Sequence, residues 1–356
     1  VLNNNQEDFI KGRGAQSNLN NRFSKQQYAL EHIEGLDEEY ISDTKTEFIN
    51  EFPKKIISGN KSADLNFGRS INPYHGCEHG CIYCYARNSH EYWGYDAGLD
   101  FETKIITKPD AATLLRKEFN SKSYQPELIL LSGNTDCYQP AERKFKITRQ
   151  LLEVFLEHKH PVSIITKNSL ILRDLDLLKK LSEDNLVHVN ISITTLNEDL
   201  RNKLEPRTVT GKGRLNVVKK LSDAGIPVRV MVAPIIPGLN SDEIPEIIKA
   251  SAENGALNAN FTIVRLNGAI GEIFTDWIYK AFPDRAEKVL NRIKACHGGT
   301  LNDSRWGKRM TGDGAEVEAI HQLFKIMLKK HNLNRKINSL NFNLFRNIYS
   351  QQMKLF

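Results

Sequence analysis

From about residue 66 the chain alternates two textures. Short β-branched or aliphatic runs are each followed by a loop and then by a segment whose apolar residues recur at helical spacing. The runs at 69–74, 127–131, 162–166, 187–193, 228–233 and 260–266 read as strands. The segments at 111–119, 147–158, 172–181, 213–224 and 241–254 read as helices. Strand and helix in alternation imply a parallel sheet joined by right-handed crossovers. Six units are too few for a closed eight-stranded barrel, so the expected fold is α/β, a partial (β/α)6 barrel whose chemistry sits in loops at the C-terminal ends of the strands.

The flanks differ from this core. Residues 1–65 are polar and broken, basic in "KGRGAQSNLNNRFSK" and acidic in "EHIEGLDEEYISD", and read as an N-terminal arm. The core is expected over 66–270. Residues 271–356 turn helical and basic ("FPDRAEKVLNRIKACHG", "AIHQLFKIMLKK") and read as a helical C-terminal extension packed on it.

Composition narrows the class. With 356 residues, 40% hydrophobic and 26% charged, the chain can bury a substantial core. Five cysteines, three of them bunched, make no secreted disulfide framework, and "VLNNNQEDFIKGRG" lacks the apolar centre of a signal peptide. A soluble protein of the reducing cytoplasm is expected, with no membrane partner, because no apolar run approaches the roughly 20 residues of a spanning helix. A net charge of +6 permits a polyanionic partner without demanding one. Oligomeric state is left open.

Cys77, Cys81 and Cys84 lie within eight residues in "INPYHGCEHGCIYCYARNSHEYW", directly after the first strand. A structural zinc could recruit His75, His79 or His90 as a fourth ligand. Zinc sites more often pair Cys-x-x-Cys knuckles, whereas an iron–sulfur cubane held by three cysteines leaves one iron open to a chelating small molecule. At this stage both remain.

The C-x3-C-x2-C spacing, with Tyr83 in the aromatic position before the last cysteine, resembles the signature of the radical S-adenosylmethionine superfamily. The stretches "NPYHGCEHGCIYCYAR", "GLDFETKI", "NTDCYQPAER", "PVSIITKNSLILRDLDLL", "SITTL", "LEPR", "VAPIIPGLN" and "LNDSRWGKRM" are similar to a bacterial subgroup grouped with spore photoproduct lyase. The resemblance implies a 4Fe-4S cluster on Cys77, Cys81 and Cys84, with S-adenosyl-L-methionine chelating its open iron. Reductive cleavage of that cofactor gives a 5'-deoxyadenosyl radical for hydrogen abstraction. An electron donor such as flavodoxin or ferredoxin is then a partner.

Cofactor contacts are expected at successive strand ends. Ser132, Gly133, Asn134 and Asp136 in "LSGNTD" replace the Gly-Gly-Glu of many relatives and offer close backbone approach, a hydrogen bond and an acceptor for an ammonium. Lys167, Ser192 and Thr194 follow on the next strands, Arg207 offers a guanidinium to a carboxylate, and Ala233 and Pro234 in "VAPIIPG" match the segment bordering adenine. Each has an ordinary reading too: hydroxyls cap helices, Asp and Asn make turns, a lone Arg is a surface charge. Cys137 falls broadly where spore photoproduct lyase places a hydrogen-donating cysteine, and Tyr138 is an alternative radical relay; a free cysteine equally fills a small buried space. Cys296 is read on a surface helix with no role.

The substrate reading is a nucleic acid, with repair or modification as the activity. Lys11, Arg13, Arg22, Lys25, Arg143, Lys144, Lys146, Lys329, Lys330, Arg335 and Lys336 would track phosphates. The aromatic patch Tyr85, Tyr92, Trp93 and Tyr95 would stack a base or, the better reading, pack over the cluster to keep it dry. A peptide or small-molecule substrate, or a non-enzymatic zinc or iron–sulfur module, are the alternatives.

Overall fold

The computed structural model describes residues 10–19, 21–23, 45–59, 68–303, 305 and 307–348. Its ten strands are β1 (Glu47–Asn50), β2 (Ile57–Gly59), β3 (Arg69–Ile71), β4 (Tyr74–His75), β5 (Lys104–Thr107), β6 (Ile129–Leu131), β7 (Val162–Thr166), β8 (Val187–Ser192), β9 (Val228–Ile235) and β10 (Asn258–Ile263). Strands β7 (VSIIT) and β8 (VHVNIS), rich in Val and Ile, are buried along nearly their whole length, as strands covered on both faces must be. They form the middle of a seven-stranded sheet ordered β10-β9-β8-β7-β6-β3-β2. Six of these strands, β3 and β6 to β10, run parallel, and β2 closes one edge antiparallel.

The connecting helices bury one stripe each. In Ile147–Glu157 the stripe is Ile147, Leu151, Leu152, Val154 and Phe155; in Leu175–Glu183 it is Leu177, Leu178 and Leu181. Side-chain caps set several starts. Asn168 accepts from Leu170 N at 3.0 Å, Asn197 from Leu200 N at 3.0 Å, and Thr210 from Gly213 N at 3.0 Å. The capped turn Ser169–Asp174 is 3-10, so the helix read at 172–181 begins as an α-helix only at Leu175.

The sequence reading departs from the structure at the first strand. The run 69–74 divides at Pro73, which has no N–H for a ladder. Beyond it Tyr74–His75 joins a second, three-stranded sheet ordered β1-β5-β4. That small sheet carries 47–50 and 104–107 alongside the cysteine loop, and its short strands lack a period to betray them.

After β10 come three helices, Ala269–Ala281, Ala286–Ala295 and Ala315–Lys330. Cys296, read as lying on a surface helix, is fully buried at the end of the second. From His331 to Asn347 the chain is not helical, because its many Asn side chains favour turns. It runs across the N-terminal ends of the strands. Arg335 N donates to Leu257 O at 3.1 Å, Asn341 N to Asn185 O at 3.0 Å and Arg346 N to His158 O at 3.0 Å, in the turns before β10, β8 and β7. His188 Nε2 meets Asn338 O at 2.8 Å, and Leu333 is fully buried.

Ending the chain at Asn332 should therefore lower the melting temperature, with roughly 1–3 kcal/mol lost for each buried polar group left without a partner. Because the strap lies at the end of the sheet opposite the cysteine loop, metal uptake by the shortened protein should be unchanged.

Candidate active site

The loop from Gly76 to Ala86 leaves β4 and enters the short helix Arg87–His90. It turns on Gly76 and Gly80, both at positive φ (74° and 68°). A Cβ at Gly76 would stand 2.9 Å from the Lys104 carbonyl oxygen, and one at Gly80 2.8 Å from Glu102 Oε2. Backbone bonds fix the loop from two sides: Cys77 N donates to Phe101 O at 2.8 Å and Ile82 N to Leu204 O at 3.1 Å. From the loop after β6, Gln139 accepts from Glu78 N at 3.0 Å and donates to Gly76 O at 3.0 Å.

Arg87 and Glu102, both fully buried, form an ion pair at 2.5 Å beneath it, and Arg87 Nε donates to Cys81 O at 3.0 Å. The Glu102 carboxylate also accepts from Gly14 N at 3.1 Å and Ala15 N at 2.8 Å. A Cβ on Gly14 would lie 1.7 Å from Gly80 O. The stretch around Gly14, read as part of a polar arm, is thus a wall of the cysteine loop; the closely spaced glycines of "KGRG" are the signal for that approach. Arg13 is buried with it, donating to Glu102 O at 3.0 Å. Arg22 is ion-paired with Glu91 at 3.0 Å, and Lys25 lies outside the described residues.

Cys77 and Cys81 are buried and Cys84 half-buried. Burial pushes all three thiols up; Asp136 and the other two cysteines add to this at Cys77, and Glu205 adds to it at Cys81. Three thiolates in so dry a place need a cation among them, and soft thiolate donors suit iron–sulfur. Among the described residues no three His, Cys, Asp or Glu side chains gather as ligands of one ion would. A cluster asks for one thiolate at each of three separate irons.

Two acids, half-buried Asp136 and fully buried Glu205, anchor the loop to the strand ends. Asp136 faces His79 Nδ1 at 3.4 Å and accepts from Thr166 Oγ1 at 2.7 Å and Lys167 N at 2.8 Å, while Asn168 Nδ2 meets His79 Nε2 at 3.1 Å. Burial lowers the His79 pKa, so the imidazole is held neutral between these partners. Glu205 accepts from the Tyr83 hydroxyl, from Thr194 Oγ1 at 2.6 Å, and from the buried Arg214 guanidinium. Lys167 Nζ stands 3.3 Å from Glu205 Oε1 and donates to Ala233 O at 3.3 Å. Burial alone would raise the Glu205 pKa, yet Arg214 and Lys167 hold it far below the usual carboxylate range. Glu205 and Arg214 escaped the sequence reading. Glu205 lies two residues before Arg207 in "LEPR", and Arg214 sits in the helix Gly211–Asp223, where its spacing alone carries no sign of a buried partner.

Tyr83, Asp136, Lys167, Thr194 and Ala233 are therefore brought together around the cysteine loop. Ser192 contributes its carbonyl, which accepts from Arg214 Nη1 at 3.1 Å, and the Pro234 carbonyl accepts from Asn240 Nδ2 at 3.0 Å. Ser132, at positive φ (85°), accepts from Cys137 N at 2.8 Å. Gly133 allows close approach, since a Cβ there would meet Ser70 Cβ at 2.9 Å. Asn134 donates to Ser89 Oγ at 2.7 Å, just past the cysteines. Arg207 is exposed, on the outer side of the loop, 3.7 Å from Glu78. Cys137 packs in the main apolar core, and the Tyr138 hydroxyl donates to Asp174 at 3.2 Å. The aromatic patch faces outward: Tyr85, Tyr92 and Trp93 are 59, 70 and 37% exposed.

Gly14→Ala should displace the segment around Gly14 from the Gly80 carbonyl. The expected result is loss of iron from anaerobically reconstituted protein, measured per chain, together with a lower melting temperature; full iron content would show that the loop stands without this wall.

Residues 71–250 match the family model described as Radical SAM superfamily. An uncharacterized protein of Methanocaldococcus jannaschii is 31% identical over 251 residues, covering 70% of this chain and 89% of that protein. An uncharacterized protein of Mycobacterium tuberculosis is 32% identical over 225 residues, 63% of this chain but only 66% of that protein's length. Among solved structures, spore photoproduct lyase with bound AdoMet and dinucleoside spore photoproduct superposes with a TM-score of 0.58 at 15% identity, covering 83% of this chain and 82% of that one. This is a likeness of fold, a mixed α/β architecture with a parallel sheet. No helix among the described residues is long and apolar enough to cross a membrane. The chain belongs to the radical SAM superfamily, whose cofactors are a 4Fe-4S cluster and S-adenosylmethionine.

Proposed function

We propose that Cys77, Cys81 and Cys84 hold the 4Fe-4S cluster and that the protein uses it to cleave S-adenosylmethionine reductively. The observation that carries this is three thiols on one buried loop facing a caged ammonium, Lys167, at the strand ends. When bound, the pair of cofactors supplies one electron and a carbon–sulfur bond to break, giving methionine and a 5'-deoxyadenosyl radical that takes a hydrogen atom from substrate. A protein donor such as flavodoxin or ferredoxin supplies the electron. The chain's own part is to exclude water, orient the cofactor and place the substrate.

Within that reading Lys167 pairs with the cofactor's carboxylate. It stands in the cage, with its side chain 16% exposed, whereas Arg207 lies outside beside Glu78. Asn134 and Asp136 remain the groups for the amino end, from the loop after β6. Cys137 is the proposed hydrogen donor only if its thiol can be reached from the cofactor side, and its place in the apolar core favours packing.

The proposed substrate is a nucleic acid. Its support is the exposed aromatic set Tyr85, Tyr92 and Trp93 beside the cysteine loop rather than the charges of the tail, which follow the strap at the other end of the sheet. Rings of this kind stack bases.

Anaerobic reconstitution should give a brown protein with four irons and an EPR signal on reduction. Changing any of Cys77, Cys81 or Cys84 to Ala should abolish both the signal and 5'-deoxyadenosine formation. Stoichiometric zinc without iron would overturn the reading. Lys167→Ala should keep the cluster and weaken cofactor binding by roughly 1.5–3 kcal/mol, the range for a charged hydrogen bond. For the substrate, binding of single-stranded DNA and RNA should weaken by about 1–3 kcal/mol on Tyr92→Ala if a base stacks there. It should also fall with salt by about 0.7 in log K per log salt for each phosphate contacted. Absence of binding at low salt would promote a peptide or small molecule.

A further inference from the structure

Glu205 is placed to do more than neutralise a lysine. It is wholly buried, and its Oε1 alone receives the Tyr83 hydroxyl, Thr194 Oγ1 at 2.6 Å and Lys167 Nζ at 3.3 Å. Tyr83 belongs to the cysteine loop, between Cys81 and Cys84. Lys167 and Thr194 stand just past β7 and β8; Lys167 Nζ donates to the Ala233 carbonyl in β9 at 3.3 Å, and Thr194 Oγ1 lies 3.0 Å from the same oxygen. A single carboxylate oxygen therefore joins the loop to three strand ends.

The other oxygen keeps the carboxylate from turning. Oε2 is held by Arg214, whose Nε donates to Val209 O at 2.8 Å and whose Nη1 donates to Ser192 O at 3.1 Å. Thr208 Oγ1 closes the same side by accepting from Arg214 Nη2 at 2.6 Å and donating to Glu205 O at 2.8 Å. The Lys167 ammonium also lies 5.6 Å over the Tyr83 ring, so the ring steadies the cation while its hydroxyl binds the acid. Glu205 is thus matched by two cations, Arg214 and Lys167, of which only Lys167 is partly exposed.

We propose that Glu205 is a positioning residue that fixes the Lys167 ammonium relative to the cysteine loop through the Tyr83 hydroxyl. The inference rests on the reading of Lys167 as the partner of the cofactor's carboxylate, and it deepens that reading: affinity comes from the lysine, whereas the distance from cofactor to cluster is set by Glu205. Removing the hydroxyl leaves every charge in the cage and loosens only the link. The rate of cofactor cleavage then falls while binding persists, because a displacement of about 1 Å can cost on the order of 100-fold in rate.

The test uses anaerobically reconstituted full-length protein as wild type, Tyr83→Phe, Glu205→Gln and the double variant. Iron content, melting temperature, S-adenosylmethionine affinity by equilibrium dialysis, the EPR spectrum of the reduced cluster with and without S-adenosylmethionine, and the rate of 5'-deoxyadenosine formation are measured for each. Tyr83→Phe is expected to keep its iron and an affinity within about threefold of wild type while cleaving at least about tenfold more slowly, with a broadened EPR response to bound cofactor. The double variant is expected to be no slower than Glu205→Gln alone, since the two residues act through one contact. Wild-type rate and EPR response in Tyr83→Phe, additive losses in the double variant, or a rate that falls only in step with iron or affinity would overturn the inference alone. A wild-type protein that holds no iron–sulfur cluster would overturn the functional reading and this inference with it.

Discussion

Three thiols meant to act as thiolates repel one another, and burial makes the repulsion worse. Everything near residues 77–84 answers to that constraint. Besides its own turns, the loop is gripped from outside by carboxylates: Glu102 beneath it through Arg87, Asp136 through His79, and Glu205 through Tyr83. Each carboxylate is itself matched to a cation or to several donors, since an unpaired buried charge would cost more than the grip returns. The result is a loop tied at three points to the surrounding strands and helices, as a site whose ligands must be held in fixed positions requires.

The partial barrel explains where those carboxylates come from. Parallel strands deliver their C-terminal loops to one end of the sheet, so residues far apart in sequence meet there. Asp136, Lys167, Thr194 and Ala233 come from four successive strands, β6 to β9. Asn240 binds two of these ends together by donating to Thr194 O at 2.8 Å and Pro234 O at 3.0 Å. The sheet thus spaces the polar groups, and the asparagine trims the fit.

The parts legible in the sequence were those with a local signature. The six parallel strands announce themselves by aliphatic runs, and the cysteines by their spacing. Lys167, Thr194 and Asp136 were legible because strand ends are where such folds place polar groups. What was not legible depends on distant pairing. Gly14 reads as one more residue of a polar stretch until Gly80 is seen against it, and Glu205 is one glutamate among many until Tyr83 and Arg214 close on it. The sequence offers the charge of Arg207 but not its partner, and in space its guanidinium stands 3.7 Å from the buried carboxylate of Glu78 in the cysteine loop.

Charge in the flanks illustrates the same point from the other direction. Counted along the sequence, the basic residues of the two termini look like a single phosphate-binding surface wrapped around the core. In space they separate. Arg13 is spent on a backbone carbonyl and Arg22 on Glu91, beside the cysteine loop, while the Arg335 guanidinium donates to Ala256 O at 2.7 Å in the turn before β10, at the opposite end of the sheet. The described part of the tail, from His331 to Ile348, therefore lies at the end of the sheet away from the cysteine loop. At the loop end itself the exposed side chains include the aromatic rings of Tyr85, Tyr92 and Trp93. A ring has faces to offer and little charge, so selectivity at this site is expected to rest on stacking and shape more than on long-range attraction.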